Sequence, residues 1–204
     1  MTTAKALTRL IACSPPLFAA LPLHRSRCIM ATRVAIDVLA RFNIAAEPRA
    51  VSIAVANAAY VAWRSRVLEA QRQALPEPLP TPGAWCVHAG LPLPDDEPPP
   101  EGGWPGHLVA YVPSKAEILD LDFQAFARPL KALDVPPAIR GSWPTADAAV
   151  TFTARDRRGH RFYAHYARED ANQGFRIAPD WKSDRPLIRD VVCALERAIR
   201  KDHR

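Results

Sequence analysis

Prolines divide this chain into the intervals in which regular secondary structure can form. The chain has 21 prolines in 204 residues, about twice the usual share. Their densest clusters lie at residues 76–80 and 92–105. Proline removes a backbone N–H and disfavours helix at its own position and at the preceding residue. The two clusters therefore predict surface loops, which leaves the intervals between them for helices and strands.

The hydrophobic pattern within these intervals predicts an α+β fold. Helical periodicity is clearest at residues 28–42 and 186–201 and weaker at 57–75, while a short helix at 3–12 should end before Pro15. Alternating or short apolar runs predict strands at residues 49–55, 85–89, 107–112, 117–123, 148–154 and 160–166. Short turns join the strands of the last two pairs, so we expect a mainly antiparallel sheet with helices packed on it.

The length of the chain is that of a single domain. We expect residues 1–204 to form one domain with an N-terminal arm at 1–23. A core at 24–128 and a C-terminal hairpin and helix at 129–204 would complete it. A hydrophobic content of 49% is enough to bury a sizeable core.

The chain is basic, with a formal net charge of +6. Residues 155–204 hold 13 Lys and Arg against 8 Asp and Glu. No basic run exceeds two residues, so this region indicates a solvated basic surface. It leaves open an acidic partner or a nucleic acid as a second interpretation.

The N-terminal sequence and the cysteines predict a cytoplasmic protein. An apolar stretch at residues 10–23 is interrupted by three prolines, which argues against a secretory signal. No run approaches the ~20 apolar residues of a membrane span. Four scattered cysteines form no CxxC pair and no disulfide framework: Cys13, Cys28, Cys86 and Cys193.

Three residues occur in the order that a thiol nucleophile, its base and its orienting carboxylate require. Cys28 stands at the predicted start of a helix, His107 begins a strand, and Asp120 lies in the next strand. A free thiol, with a pKa of about 8.5, is mostly protonated at neutral pH. A helix N-terminus and a neighbouring imidazole both favour the thiolate, and a carboxylate can hold the imidazole in one tautomer.

This arrangement resembles the transglutaminase-like branch of the papain-like cysteine (Cys-His-Asp) superfamily. The matching segments are Arg27-Cys28-Ile29, Gly106-His107-Leu108 and Leu119-Asp120-Leu121. The resemblance implies a papain-like core and a catalytic triad of Cys28, His107 and Asp120. The family often has a threonine two residues after its aspartate, where this chain has Asp122. Since Asp122 would share a strand face with Asp120, it remains an alternative orienter.

Three further features bear on the chemistry. The backbone N–H of Cys28 is a candidate oxyanion donor, and Asn57 is a candidate side-chain donor. Trp85, Trp104 and Tyr111 are candidates to line a cleft or to pack in the core. Cys86 and His88 could join His107, with Cys28 as a further ligand, in a zinc site, but no second closely spaced pair exists, so we expect neither a metal nor another cofactor.

The sequence therefore predicts a thiol-protease-like enzyme, a cysteine-dependent hydrolase or acyltransferase. It would act on a peptide or other amide through an acyl-enzyme at Cys28, with either water or an amine as acceptor. The alternatives are a non-enzymatic interaction module on the same fold and a basic protein associated with nucleic acid.

Overall fold

The structure is a computed structural model that describes residues 1–19, 27–90, 104–131, 133–178, 181 and 186–201. Within these ranges it has helices α1 Thr3–Ala19, α2 Arg27–Ala40, α3 Ala58–Arg72 and α4 Pro186–Lys201. Its strands are β1 Glu47–Asn57, β2 Cys86–Ala89, β3 His107–Val112, β4 Glu117–Asp120, β5 Ile139–Ser142, β6 Ala149–Arg155 and β7 Arg161–Arg168. Short 3-10 turns follow β3, β4 and β7.

One sheet contains all seven strands, in the order β5-β4-β3-β1-β7-β6, with β2 paired to β1 beyond the end of β3. Every pairing between these strands is antiparallel. Gly141 on β5 faces the ring of Phe152 on β6, and a Cβ at this glycine would collide with the ring. The two edges of the sheet therefore approach each other, and the sheet is nearly closed. The prediction of an α+β fold with a mainly antiparallel sheet is confirmed.

Apolar side chains cover both faces of the sheet. On one face α2, together with α1 and α4, packs against Ala110, Val112 and Leu119. The opposite face holds a largely aromatic core of which Trp143, Tyr111 and Tyr166 are the largest members. The first of these cores fixes α2 across the strands β3 and β4, which positions the N-terminus of α2 near the start of β3.

Helix α1 is longer than predicted. It continues through Pro15 and Pro16 to Ala19 instead of ending before them. Proline at position 15 removes the N–H that would bond to Ile11, and the buried hydroxyl of Ser14 donates to that carbonyl oxygen at 3.4 Å instead. The buried stripe that includes Leu10 and Phe18 packs within the helical layer, so tertiary burial outweighs the local cost of proline.

Strands β5, β6 and β7, which follow residue 129, belong to the same sheet as the strands before it. The expected C-terminal hairpin is β6–β7, and its strand β7 pairs with β1 along Val51–Asn57, in the middle of the sheet. The stretch before Trp143, which gave no strand signal, forms the short edge strand β5. Strand β4 ends at Asp120, earlier than predicted, because the chain turns into a 3-10 helix at Phe123–Phe126.

No helix within the described ranges has the length and apolar character to cross a membrane.

Candidate functional site

Cys28 lies in the first turn of α2, at the end of the helix that faces the start of β3. The helix is tied to this strand one turn later, where the buried hydroxyl of Thr32 donates to the carbonyl oxygen of Leu108 at 2.8 Å. Ile29, next to Cys28, is completely buried against Leu108 and its neighbours. Cys28 itself is half-buried and belongs to no disulfide, so its thiol is available for chemistry at the edge of the core.

His107 and Asp120 are brought together by the register of the β3–β4 hairpin. Ala110 pairs with Leu119, so the next pair along places Val109 opposite Asp120. His107, two residues before Val109, therefore shares a face with Asp120. Nε2 of His107 lies 2.7 Å from Oδ2 of Asp120, and both side chains are almost completely buried.

The thiol of Cys28 lies close enough to the imidazole of His107 to act on its pKa. Burial by itself lowers the pKa of His107, but the charge and hydrogen bond of Asp120 and the hydrogen bond of Cys28 raise it, and the pKa lies well above its usual value. Since Nε2 is engaged by Asp120, Nδ1 is the ring nitrogen left for Cys28. The edge of the Phe126 ring lies against the imidazole, with the ring centroids 5.1 Å apart. The ring is thus held between a thiol and a carboxylate, and the protonated form of the imidazole is favoured.

Asp120 accepts hydrogen bonds from three groups. Oδ2 accepts from the Tyr166 hydroxyl at 2.9 Å as well as from His107, and Oδ1 accepts from the backbone N–H of Asp122 at 3.1 Å. Burial and the adjacent Asp120 charge raise the pKa of Tyr166 well above its usual value, so this hydroxyl remains a donor. Tyr166 was not anticipated, because it comes from β7 and nothing near it in the sequence marks it.

Asp122 takes a different partner from Asp120. Its Oδ1 lies 2.7 Å from Nε of Arg27, although the N–H is not aligned for a hydrogen bond. Burial raises the pKa of Asp122 to about 6, even though the Arg27 charge opposes this rise. Of the two candidate orienters, Asp120 is the one in contact with His107, while Asp122 neutralises the residue immediately before Cys28.

Asn57 is not part of this group. Its Oδ1 caps α3 by accepting from the N–H of Tyr60, and its amide group donates to the carbonyl oxygens of Gly83 and Lys131. It also lies six residues along β1 from Val51, the partner of His107. Six strand residues span about 20 Å, and we therefore withdraw Asn57 as an oxyanion donor.

Aromatic rings lie beside the thiol, and only one of the expected rings is among them. Cys28 borders a small cluster that contains Trp104, Phe175 and Trp181. Asn172 holds the Trp104 segment in place, accepting from the indole N–H at 2.5 Å and donating to the carbonyl oxygen of Pro105 at 2.7 Å. A Cβ at Gly106 would lie 2.5 Å from the Trp104 ring, so glycine is required immediately before His107.

The other two expected aromatic residues have different surroundings. Tyr111 is buried in the core, and its hydroxyl group lies 2.7 Å from that of Thr145. Trp85 precedes β2 and is partly exposed, with the Lys131 ammonium group 4.7 Å from the centre of its ring.

The alternative zinc ligands also lie apart from His107. Cys86 and His88 are on β2, opposite Ala56 and Ala54 of β1, while His107 is opposite Val51. Burial raises the pKa of the Cys86 thiol, which is hydrogen-bonded to Tyr60. Among the residues whose positions are described, no three His, Cys, Asp or Glu side chains cluster closely enough to hold a metal ion.

Comparison with known proteins finds no matching family model, no matching curated protein and no matching solved structure. The geometry of the side chains is therefore the basis for any functional assignment.

Proposed function

We propose that this protein is a cysteine-dependent acyl-transfer enzyme that acts on an amide through an acyl-enzyme at Cys28. The observation that carries the proposal is the buried His107–Asp120 pair, with Nε2 and Oδ2 2.7 Å apart, beside a Cys28 thiol that is near enough to raise the pKa of His107. The three residues come from α2, β3 and β4, which the sheet register and the Thr32 hydrogen bond hold together. A thiol nucleophile of this type needs a neighbouring base and a carboxylate that orients the base.

The residues divide the reaction between them as follows. His107 takes the proton of the Cys28 thiol, and the sulfur attacks the amide carbonyl carbon to form a tetrahedral intermediate. When the C–N bond breaks, the imidazolium of His107 gives its proton to the departing amine, which leaves a thioester on Cys28. Water or a second amine then attacks the thioester carbon, and His107 accepts its proton as the sulfur leaves.

Asp120 is suited to the orienting role because several hydrogen bonds fix the position of its carboxylate. A carboxylate that accepts from Tyr166 and from a backbone N–H as well as from His107 cannot turn away from the ring. Its negative charge stabilises the imidazolium that forms in each half of the reaction. Charge stabilisation at the carbonyl oxygen would come from the N–H of Cys28, which lies in the first helical turn and has no acceptor within the helix.

This arrangement is that expected of the transglutaminase-like or papain-like cysteine enzymes, and membership of that superfamily is part of the proposal. A helix with its N-terminus at the sheet and a base on the first residue of an adjacent strand support it. The substrate is then a peptide or another amide, because thiol nucleophiles of this type form acyl-enzymes from such carbonyls.

Alkylation by iodoacetamide at neutral pH tests the nucleophile directly. Cys193 is exposed whereas Cys28 is half-buried, so accessibility alone would make Cys193 the faster site of alkylation. An imidazole-activated Cys28 should instead be labelled first, by a factor of about 10²–10⁴, the usual contribution of a positioned base. Peptide mapping by mass spectrometry after short exposures measures the two rates in one sample.

The matched control is His107→Ala, which removes the base without touching either thiol. In this variant the Cys28 rate should fall to that of Cys193 or below, while the Cys193 rate should not change. Equal rates at the two cysteines in the unaltered protein would contradict the proposal. They would favour the alternative of a non-enzymatic module.

A further inference from the structure

A groove of about 300 Å³ runs between α2 and α4 on the outer side of the helical layer. Its floor is apolar, formed by the buried side chains of Ile188 and Val192 on α4. The charged groups at its edges are Arg33, Asp37, Arg41 and Arg189. An apolar floor with a few charged groups at its edges is a common form of a binding site.

The charge of the groove is positive and only partly neutralised. Arg33 forms two hydrogen bonds with Asp37, with donor–acceptor distances of 3.0 and 2.8 Å, so these two charges cancel. Arg41 and Arg189 are both exposed, and neither guanidinium pairs with a carboxylate of the described residues. Two unpaired guanidinium groups beside an apolar floor favour a ligand that carries carboxylates.

Packed side chains lead from one end of the groove to the cluster that Cys28 borders. The guanidinium of Arg33, at one end of the groove, stacks on the ring of Trp181, 5.4 Å from its centre. Trp181 in turn packs edge-on against Phe175, with their centroids 5.0 Å apart, in the cluster that Cys28 borders. Helix α2 rises about 18 Å between Cys28 and its last residue, Ala40, a distance that about five extended residues would span.

We propose that this groove binds an acidic segment of a polypeptide, whose carboxylates pair with Arg41 and Arg189. The identification of that polypeptide as the substrate rests on the function proposed for Cys28, whereas binding in the groove does not. The apolar floor of Ile188 and Val192 favours a peptide over a nucleic acid, since protein–nucleic acid interfaces are more polar than this lining.

The probe is a fluorescein-labelled octapeptide of alternating glutamate and glycine, with a glutamine–glycine peptide as the neutral comparison. Binding is measured by fluorescence anisotropy on the full chain carrying Cys28→Ser, so that no turnover occurs. The acidic peptide should bind in dilute buffer and lose affinity as salt is added, because exposed ion pairs are screened. The neutral peptide should bind much more weakly.

The double variant Arg41→Glu/Arg189→Glu should weaken binding of the acidic peptide by roughly tenfold or more, since each reversal replaces an attraction by a repulsion. The matched control is Arg64→Glu, on the exposed side of α3 and outside the groove. It should change the affinity by less than about twofold. Unchanged far-ultraviolet circular dichroism verifies that each variant is folded.

Three results would overturn the proposal: no binding of the acidic peptide at low salt, equal losses in the groove and control variants, or tighter binding of single-stranded oligothymidylate. The last result would indicate a nucleic-acid surface instead. The enzyme proposal and the groove proposal fail separately. If the peptide binds but Cys28 shows no selective alkylation, the proposed enzymatic function is rejected and the peptide-binding groove is retained. If Cys28 is alkylated selectively but the peptide does not bind, the groove is rejected and the enzymatic function is retained.

Discussion

Replacement of Asp120 by asparagine tests whether the buried carboxylate activates the thiol or only supports the fold. The change keeps the size and one acceptor oxygen but removes the charge beside His107. If the remaining oxygen faces His107 and Tyr166, the new amide N–H₂ faces the backbone N–H of Asp122, which is also a donor. The variant therefore loses a charge and leaves two donors opposed.

Both losses have a magnitude that follows from these contacts. Removal of one partner from a buried ion pair costs about 3–5 kcal/mol. Here the protonated form of His107 is destabilised by this amount, because it loses the charge of Asp120. At 1.4 kcal/mol per tenfold, the lower figure corresponds to about a hundredfold loss of the thiolate–imidazolium pair. The unsatisfied donor adds a loss of folding stability of about 1–3 kcal/mol.

The assay is the rate of Cys28 alkylation at neutral pH, with urea denaturation as the measure of stability. Tyr166→Phe is the matched control, because it removes one hydrogen bond to the same oxygen and leaves the charge in place. It should destabilise the fold by about 1.5–3 kcal/mol yet slow alkylation by much less than Asp120→Asn does. If both variants slow alkylation equally, or if Asp120→Asn leaves the rate unchanged, the carboxylate has only a structural role.

Two further predictions concern the stability of the site. Burial raises the pKa of Asp122 from 3.8 to about 6, so the folded state holds this proton more tightly than the unfolded state and stability should fall as pH rises through this interval. Asp122→Asn removes that dependence and should gain up to ~3 kcal/mol relative to the unaltered protein between pH 4 and 7, by urea denaturation; parallel pH profiles would contradict this. Thr32→Val removes the buried bond to Leu108 and should cost ~1–3 kcal/mol in thermal or urea unfolding. The exposed Ser65→Ala should cost less than ~0.5 kcal/mol, and equal losses would refute the role of the Thr32 bond.

Local sequence patterns determined most of the helices and strands. Helix α4 has the predicted bounds, Pro186–Lys201, because its apolar stripe recurs with a helical period and a proline begins it. The β3–β4 hairpin was predictable from two apolar runs joined by a short turn that begins with proline. The order of Cys28, His107 and Asp120 along these elements was also visible, since each position lies at or near the end of a strongly patterned segment.

Other features depended on contacts between residues far apart in the chain. Helix α1 continues through two prolines because its stripe is buried within the helical layer, a gain that local propensity does not include. The choice of Asp120 over Asp122 came from the point at which β4 ends and from Arg27, which pairs with Asp122. Asn57 looked like a free amide in the sequence, but its position at the start of α3 commits both ends of its side chain to backbone groups.

The sequence by itself therefore determined which residues carry reactive groups and which elements they occupy, because propensity and periodicity act over a few neighbouring residues. Only the tertiary structure decided which of these groups meet. The Tyr166 hydroxyl reaches Asp120 across 46 positions of sequence, and the groove between α2 and α4 joins residues from opposite halves of the chain. Such pairings follow from sheet register and helix packing, which depend on the burial of the whole core and leave no mark on either segment alone.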